Sequence, residues 1–220
     1  WDTGARKAAD SVLVPWGGPP LAPRTRYEWQ VTVVDRHGRS HESAPTWFET
    51  GKLEEPWEAN WIGVAGMDIE REETTFGAPL LRTEFRVERT VGAARLCISG
   101  LGLYEATVNG RRVSDCLLTP EWTDYKTRVQ YQTFDVTTML ANGNNAVGAM
   151  LGDGWYRGNL AFEKQRNIYG TKLALLAQIR ITLADGSKLS YARLLLATGG
   201  RAIRLNLPGA HLDNVFTLRT

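Results

Sequence analysis

Asn109-Gly110 stands between Leu103-Tyr104-Glu105-Ala106-Thr107-Val108 and Arg111-Arg112-Val113, and no other feature limits the fold so sharply. A two-residue hairpin turn needs positive φ at its central positions. Asn and Gly tolerate this best, so Asn-Gly between strand formers predicts an antiparallel pair. The punctuation elsewhere agrees. Short segments rich in Val, Leu, Ile, Tyr, Trp and Thr recur between Gly, Pro, Asn and Asp, and none keeps a helical period over three turns. Residues 173–183 are rich in Leu and Ala, yet Leu175, Ala177, Ile179, Ile181 and Leu183 fall on alternate positions and Ala184-Asp185-Gly186-Ser187 follows as a hairpin turn. That period predicts a strand. The chain is therefore read as all-β. Strands are expected over residues 80–87, 94–99, 103–108, 129–136, 146–151 and 173–183, with Leu96, Ile98, Val108, Val136, Val147, Ala149, Leu175, Ile179 and Ile181 lining the core.

Residues 1–51 form a first unit, in which residues 27–35 alternate aromatic or β-branched with polar residues. Asp35-Arg36-His37-Gly38-Arg39 turns the chain, and residues 45–50 resume it. So short a segment is little for a self-supporting sandwich. It reads as the closing strands of a domain, with an open sheet edge through which a second copy could pair to give a homodimer. Residues 52–56 are a linker, and a second unit spans residues 57–196. Residues 67–75 are polar and charged and are expected to be a flexible loop. Residues 135–145 lead from one strand through a helical turn into the next, with Asp135 or Thr137 as its cap. In the tail, 197–220, residues 202–207 and 215–218 have strand-like composition.

Bulk properties exclude several classes. With 26 basic and 24 acidic residues the formal net charge is +2, which offers no field for nucleic acid or an acidic membrane. No apolar run approaches the roughly 18 residues of a membrane helix. The chain opens Trp1-Asp2-Thr3-Gly4, with neither an initiator Met nor a leader pattern, as a processed or excised piece would. Cys97 and Cys116 are read as buried free thiols, so the compartment stays open. No zinc-type Cys/His spacing, P-loop or nucleophile elbow occurs, and His37, His41 and His211 sit in turns without a matching nucleophile.

The chemistry is concentrated in two aromatic-acidic segments. Residues 152–159, Gly-Asp-Gly-Trp-Tyr-Arg-Gly-Asn, hold three glycines and are expected to form neither regular helix nor strand core. Asp153, Trp155, Tyr156, Arg157 and Asn159 offer ring faces for the C–H side of a sugar, with acceptors and donors for its hydroxyls. Residues 120–126 supply Trp122, Asp124 and Tyr125 as a second wall, and residues 166–170 could extend the first. The competing reading is structural, with Trp155 and Tyr156 filling a core edge and Arg157 consumed by one carboxylate or by backbone carbonyls. Asp and Asn oxygens are also what calcium prefers, although no D-x-D-x-D-G pattern is present. Asp124 and Asp153 are the carboxylates one would pair for glycoside cleavage, but no spacing in the sequence fixes the separation such a pair needs.

Four runs together give the chain a family resemblance: residues 100–105 with 108–113, residues 118–125, residues 128–137, and residues 151–158, Leu-Gly-Asp-Gly-Trp-Tyr-Arg-Gly. They resemble the N-terminal part of bacterial α-L-rhamnosidases, which are multidomain inverting glycoside hydrolases. The likeness covers about residues 1–190. It implies a jelly-roll β-sandwich preceded by a partial fibronectin-III-like sandwich. It also implies a non-catalytic fragment that recognises rhamnose-containing glycans, or else a module that braces a catalytic barrel; residual hydrolysis is a third reading. The family's catalytic glutamates belong to a helical barrel with which no residue here aligns, so no catalytic residue is assigned. Residues 197–208 depart from the family pattern.

Overall fold

The computed structural model describes residues 1–7, 12–64, 77–160, 162 and 165–191. The chain divides into two units, Trp1–Pro56 and a second that begins at Trp57, so residues 52–56 fall with the first. The expectations for residues 67–75, 202–207 and 215–218 lie outside the described residues.

The first unit is a broken ribbon. Strands β1 (Arg26–Trp29) and β4 (Thr46–Glu49) pair antiparallel, as do β2 (Thr32–Val34) and β3 (Ser40–Glu42). The continuous strand expected over residues 27–35 is interrupted at Gln30 and Val31. There the Ser43 hydroxyl accepts the Val31 N–H, and Pro45 on the opposite side has no N–H for a ladder. The 35–39 turn forms as read: Asp35 Oδ1 accepts from the amides of His37 and Arg39, and Gly38 takes φ +78°. Tyr27 stacks on Phe48 across the ribbon and Arg26 lies over the Trp47 ring. Among the described residues of this unit no hydrophobic side chain is buried, while Trp29, Val31, Val33 and Trp47 are all exposed.

The second unit is a sandwich of two four-stranded antiparallel sheets. Strands β5 (Leu80–Val87), β10 (Gly143–Gly152), β7 (Leu103–Val108) and β8 (Arg111–Arg112) form one sheet in that order. Strands β12 (Lys188–Tyr191), β11 (Ala174–Leu183), β6 (Val91–Leu101) and β9 (Gln132–Asp135) form the other. Apart from the β7–β8 and β11–β12 hairpins, each connection from β5 onward passes from one sheet to the other, the winding of a jelly roll. All nine expected core residues are buried between the sheets, together with Leu81, Val87, Leu151 and Leu183. Residues 173–183 form the long central strand β11, as the alternation predicts.

Two polar details lock this frame. At the β7–β8 turn Asn109 and Gly110 adopt φ +51° and +77°, as the hairpin reading requires. Asn109 also accepts the Ala146 N–H and donates to the Met139 carbonyl and to Asn145 Oδ1. Asn145 is almost fully buried, and its amide is fully satisfied by Asn109, Ala141 and Gly143. At the other end Gly102 alone links β6 to β7. Its φ is +114°, and a Cβ would run into the Gly152 carbonyl and the Leu173 side chain, so no other residue fits without movement.

The outer face of the β12-β11-β6-β9 sheet is covered rather than solvated. Gln178 on this face accepts the Glu58 N–H, while Ile62 continues the sheet in its own plane, exchanging two backbone hydrogen bonds with Leu175 at 2.8 and 2.7 Å. The Ser99 hydroxyl donates to the Gln130 carbonyl. Cys97, Ser99, Leu176 and Gln178 are thereby buried on this face. The cysteine expectation needs correction: both thiols are free, Cys97 is buried, but Cys116 is exposed on the β8–β9 connection. Residues 137–139 form the expected helical turn, a single 3-10 turn in which Asp135 Oδ1 accepts from the Thr137 N–H and hydroxyl.

Candidate functional site

The site is built on two connections between the sheets, residues 113–131 and 153–173. Strand β10 runs through Gly152, and the chain then makes one helical turn, α1 (Gly154–Arg157). This corrects the expectation that residues 152–159 form neither strand nor helix. Gly154 takes φ +49° hard against the Leu103 side chain, which lets the chain turn sharply from the strand into the helical turn. From Arg157 the chain runs outward and returns: Asn167 N–H donates to the Arg157 carbonyl, Tyr169 N–H to the Tyr156 carbonyl, and Leu160 and Gln165 exchange two backbone bonds.

The helical turn puts Asp153 and Arg157 four residues apart on one face. Arg157 is 1% exposed; its Nε donates to Asp153 Oδ1 at 2.6 Å and one Nη to the Thr171 carbonyl at 3.2 Å. Arg166 Nη2 reaches the second oxygen of Asp153 at 2.9 Å. One carboxylate thus ties the start of the connection to its return. Tyr156 is also buried, packing on Leu101 and Ala174 at the end of the β6–β11 pair. Tyr125 meets it edge-on at 5.2 Å and lies 5.0 Å from the Tyr169 ring. Burial, reinforced by the neighbouring Tyr169 and Tyr156, pushes the Tyr125 hydroxyl up to about 12, and burial raises Tyr156 as well. Neither phenol ionises at neutral pH.

Asp124 belongs to a self-contained loop. Its carboxylate accepts from the Thr127 hydroxyl and the Lys126 amide, which hold its pKa below the ordinary aspartate value in that order of weight. Thr123 closes the same loop onto the Arg128 carbonyl. Trp122 and Trp155 remain. Their rings are parallel to within 7° with centroids 5.9 Å apart, an offset stack too close to admit a sugar between them. Trp122 Nε1 donates to the Tyr169 hydroxyl, and 52% of the residue is exposed. Trp155 is half-buried and Asn159 is exposed.

Of the eight residues singled out from sequence, Trp122, Asp124 and Asn159 are therefore exposed and Trp155 is half-buried. Tyr156 and Arg157 lie inside, Tyr125 packs between tyrosines, and Asp153 and Asp124 bind their own loops. Thr171, Tyr169 and Arg166 complete the arrangement. Of these, Arg166 and Tyr169 fall in the run expected to extend the segment, whereas Thr171 takes part through its carbonyl and so leaves no residue-type signal. Among the described residues no group of three or more His, Cys, Asp or Glu side chains could hold a metal ion. Between β5 and β12 a hollow lined by Thr83, Phe85, Val147 and Tyr191 amounts to about 40 Å³, room for a water but not for a pyranose.

Comparison with known proteins agrees with this geometry. Residues 89–192 match the α-L-rhamnosidase N-terminal domain and residues 1–54 the Rha78A-like N-terminal immunoglobulin domain. An α-L-rhamnosidase of Formosa agariphila is 32% identical over 200 residues, covering 86% of this chain and 21% of that protein. The crystal structure of native α-L-rhamnosidase from Aspergillus terreus superposes with a TM-score of 0.75 at 35% identity, over 86% of this chain and 22% of that one. That of Streptomyces avermitilis α-L-rhamnosidase complexed with L-rhamnose gives 0.75 at 25% identity, over 92% and 36%. The chain spans about a fifth to a third of the length of such relatives. With the sandwich, its hairpin and the 151–158 run all in place, the chain carries the N-terminal β-domains of the α-L-rhamnosidase family: an immunoglobulin-like domain followed by the family's N-terminal sandwich.

Proposed function

We propose that the sandwich is a carbohydrate-recognition module that binds rhamnose-containing glycans without cleaving them. The observation that carries this reading is the Trp122–Trp155 pair. Trp122 is more than half exposed although its ring is stacked on one side and its N–H is already bonded. Such a ring is fixed before a ligand arrives, so little conformational entropy is lost on binding. L-rhamnose is a 6-deoxyhexose, and its methyl group and C–H face suit an indole, while the Asn159 amide supplies one donor pair and one acceptor for hydroxyls. The reading divides the eight residues by role. Trp122, Trp155 and Asn159 face the ligand, while Asp153, Tyr156, Arg157, Asp124 and Tyr125 hold the platform in place. No residue of this chain is given a catalytic role.

Isothermal titration of the 220-residue chain with L-rhamnose, with and without calcium, tests the proposal. Binding in the millimolar range that Trp122→Ala abolishes while leaving the melting temperature nearly unchanged is the expected result. No heat at millimolar sugar in either condition would favour the rival reading, a module that only braces a catalytic domain; the burial of Arg157 is the observation on that side.

A further inference from the structure

Tyr169 joins the aromatic platform from the return of the 153–173 connection, and its half-buried ring is held on several sides. It packs against Leu101, Tyr156 and Ala174 and lies 5.0 Å from the Tyr125 ring. Its N–H donates to the Tyr156 carbonyl, and a Cβ on the next residue, Gly170, would run into the Tyr156 side chain. The hydroxyl at the end of this ring accepts the Trp122 indole N–H at 3.3 Å, in a bond that is open to solvent. A phenol accepts and donates at once. Tyr125 spends its own proton on the Glu121 carbonyl, whereas among the described residues no group accepts the proton of Tyr169.

We infer that the Tyr169 hydroxyl is a specificity-determining group of the sugar site, donating to one oxygen of a ring stacked on Trp122. This role rests on the carbohydrate reading above and adds a residue outside the eight sequence candidates. The phenol oxygen is bonded to the indole itself, so it lies at the edge of the ring that a sugar would cover. The bond it accepts polarises its own O–H and makes that group a better donor. Its packed ring is in place before the ligand arrives, so the new bond costs little side-chain freedom. An indole face alone meets only C–H surface and tolerates any rotation of the sugar upon it. A fixed donor at the edge removes that freedom. It favours the orientation that brings an oxygen to the Tyr169 proton, and it disfavours a sugar with no oxygen at that place.

NMR titration of the full chain and of Tyr169→Phe tests this, using methyl α-L-rhamnoside and a panel of its analogues that each lack one oxygen. Phenylalanine keeps the packing and water takes up the exposed Trp122 N–H, so the melting temperature should stay close to that of the unaltered chain. The substitution is expected to weaken methyl α-L-rhamnoside about tenfold, equivalent to roughly 1.4 kcal/mol, the upper end for one hydrogen bond. One analogue, the one without the oxygen that Tyr169 reaches, should bind both proteins equally. A purely structural role would instead weaken every ligand alike. That result, or an affinity untouched by Tyr169→Phe, would overturn the inference while leaving stacking on Trp122 standing. Binding of no member of the panel to the unaltered chain would sink the carbohydrate reading, and this inference with it.

Discussion

Arg157→Ala separates bracing from binding more sharply than any other substitution. The guanidinium is 1% exposed and donates to Asp153 at 2.6 Å and to the Thr171 carbonyl at 3.2 Å. Removing one partner of a buried ion pair typically costs about 3–5 kcal/mol, because the other charge is left uncompensated. Two features reduce that here. The Asp153 side chain is 34% exposed, so solvent screens it, and Arg166 still pairs with its second oxygen. A loss of about 2–3 kcal/mol follows, which for a domain of this size lowers the melting temperature by roughly 6–12 °C. Thermal unfolding followed by circular dichroism measures it. In a double-mutant cycle Asp153→Ala should add much less in the Arg157→Ala background than alone, because the two groups act on each other. If Arg157→Ala unfolded at the parent temperature while sugar affinity fell, the bracing role would be refuted and Arg157 would have to face the ligand.

Two further outcomes follow from the same geometry. Burial, the largest influence on the Asp135 carboxyl, pulls its pKa upward, but the Thr137 hydroxyl and amide and the Arg95 charge outweigh it, and the net shift is downward. A carboxylate with a depressed folded-state pKa stabilises the fold above its unfolded value, near 3.9, and that contribution disappears as pH falls through the folded value. Asp135→Asn should therefore flatten the loss of stability below about pH 4, as read from urea midpoints across pH. The edges of β2 and β3, open among the described residues, and the exposed Trp29, Val31 and Val33 should let the first unit pair with a second copy, so light scattering should show concentration-dependent association. A clean monomer at high concentration would count against it.

Much of the sandwich was legible because its signals are local. Asn109-Gly110 dictates its own turn, and the alternation from Leu175 to Leu183 places one set of side chains inward whichever strands lie beside it. The candidate site was legible in its residue types but not in their roles. Three glycines argued against a helix over residues 152–159, yet Gly154 at positive φ makes the sharp bend from which a helical turn starts. That turn alone brings Arg157 back to Asp153. The burial of Arg157 further depends on Arg166 and on the Thr171 carbonyl, 9 and 14 residues on, whose approach is set by the backbone bonds of Gln165 to Leu160, Asn167 to Arg157 and Tyr169 to Tyr156. The break in the first unit at Gln30 and Val31 was hidden for a similar reason, since a Ser43 hydroxyl across the ribbon replaces the backbone partner.

The most direct test of the central claim is a crystal structure of the 220-residue chain soaked with L-rhamnose. The account predicts a sugar ring lying flat on the exposed face of Trp122, with a hydroxyl within hydrogen-bond distance of the Asn159 amide and Arg157 still bonded to Asp153. A sugar bound elsewhere, or a bare Trp122 at saturating rhamnose, would contradict it.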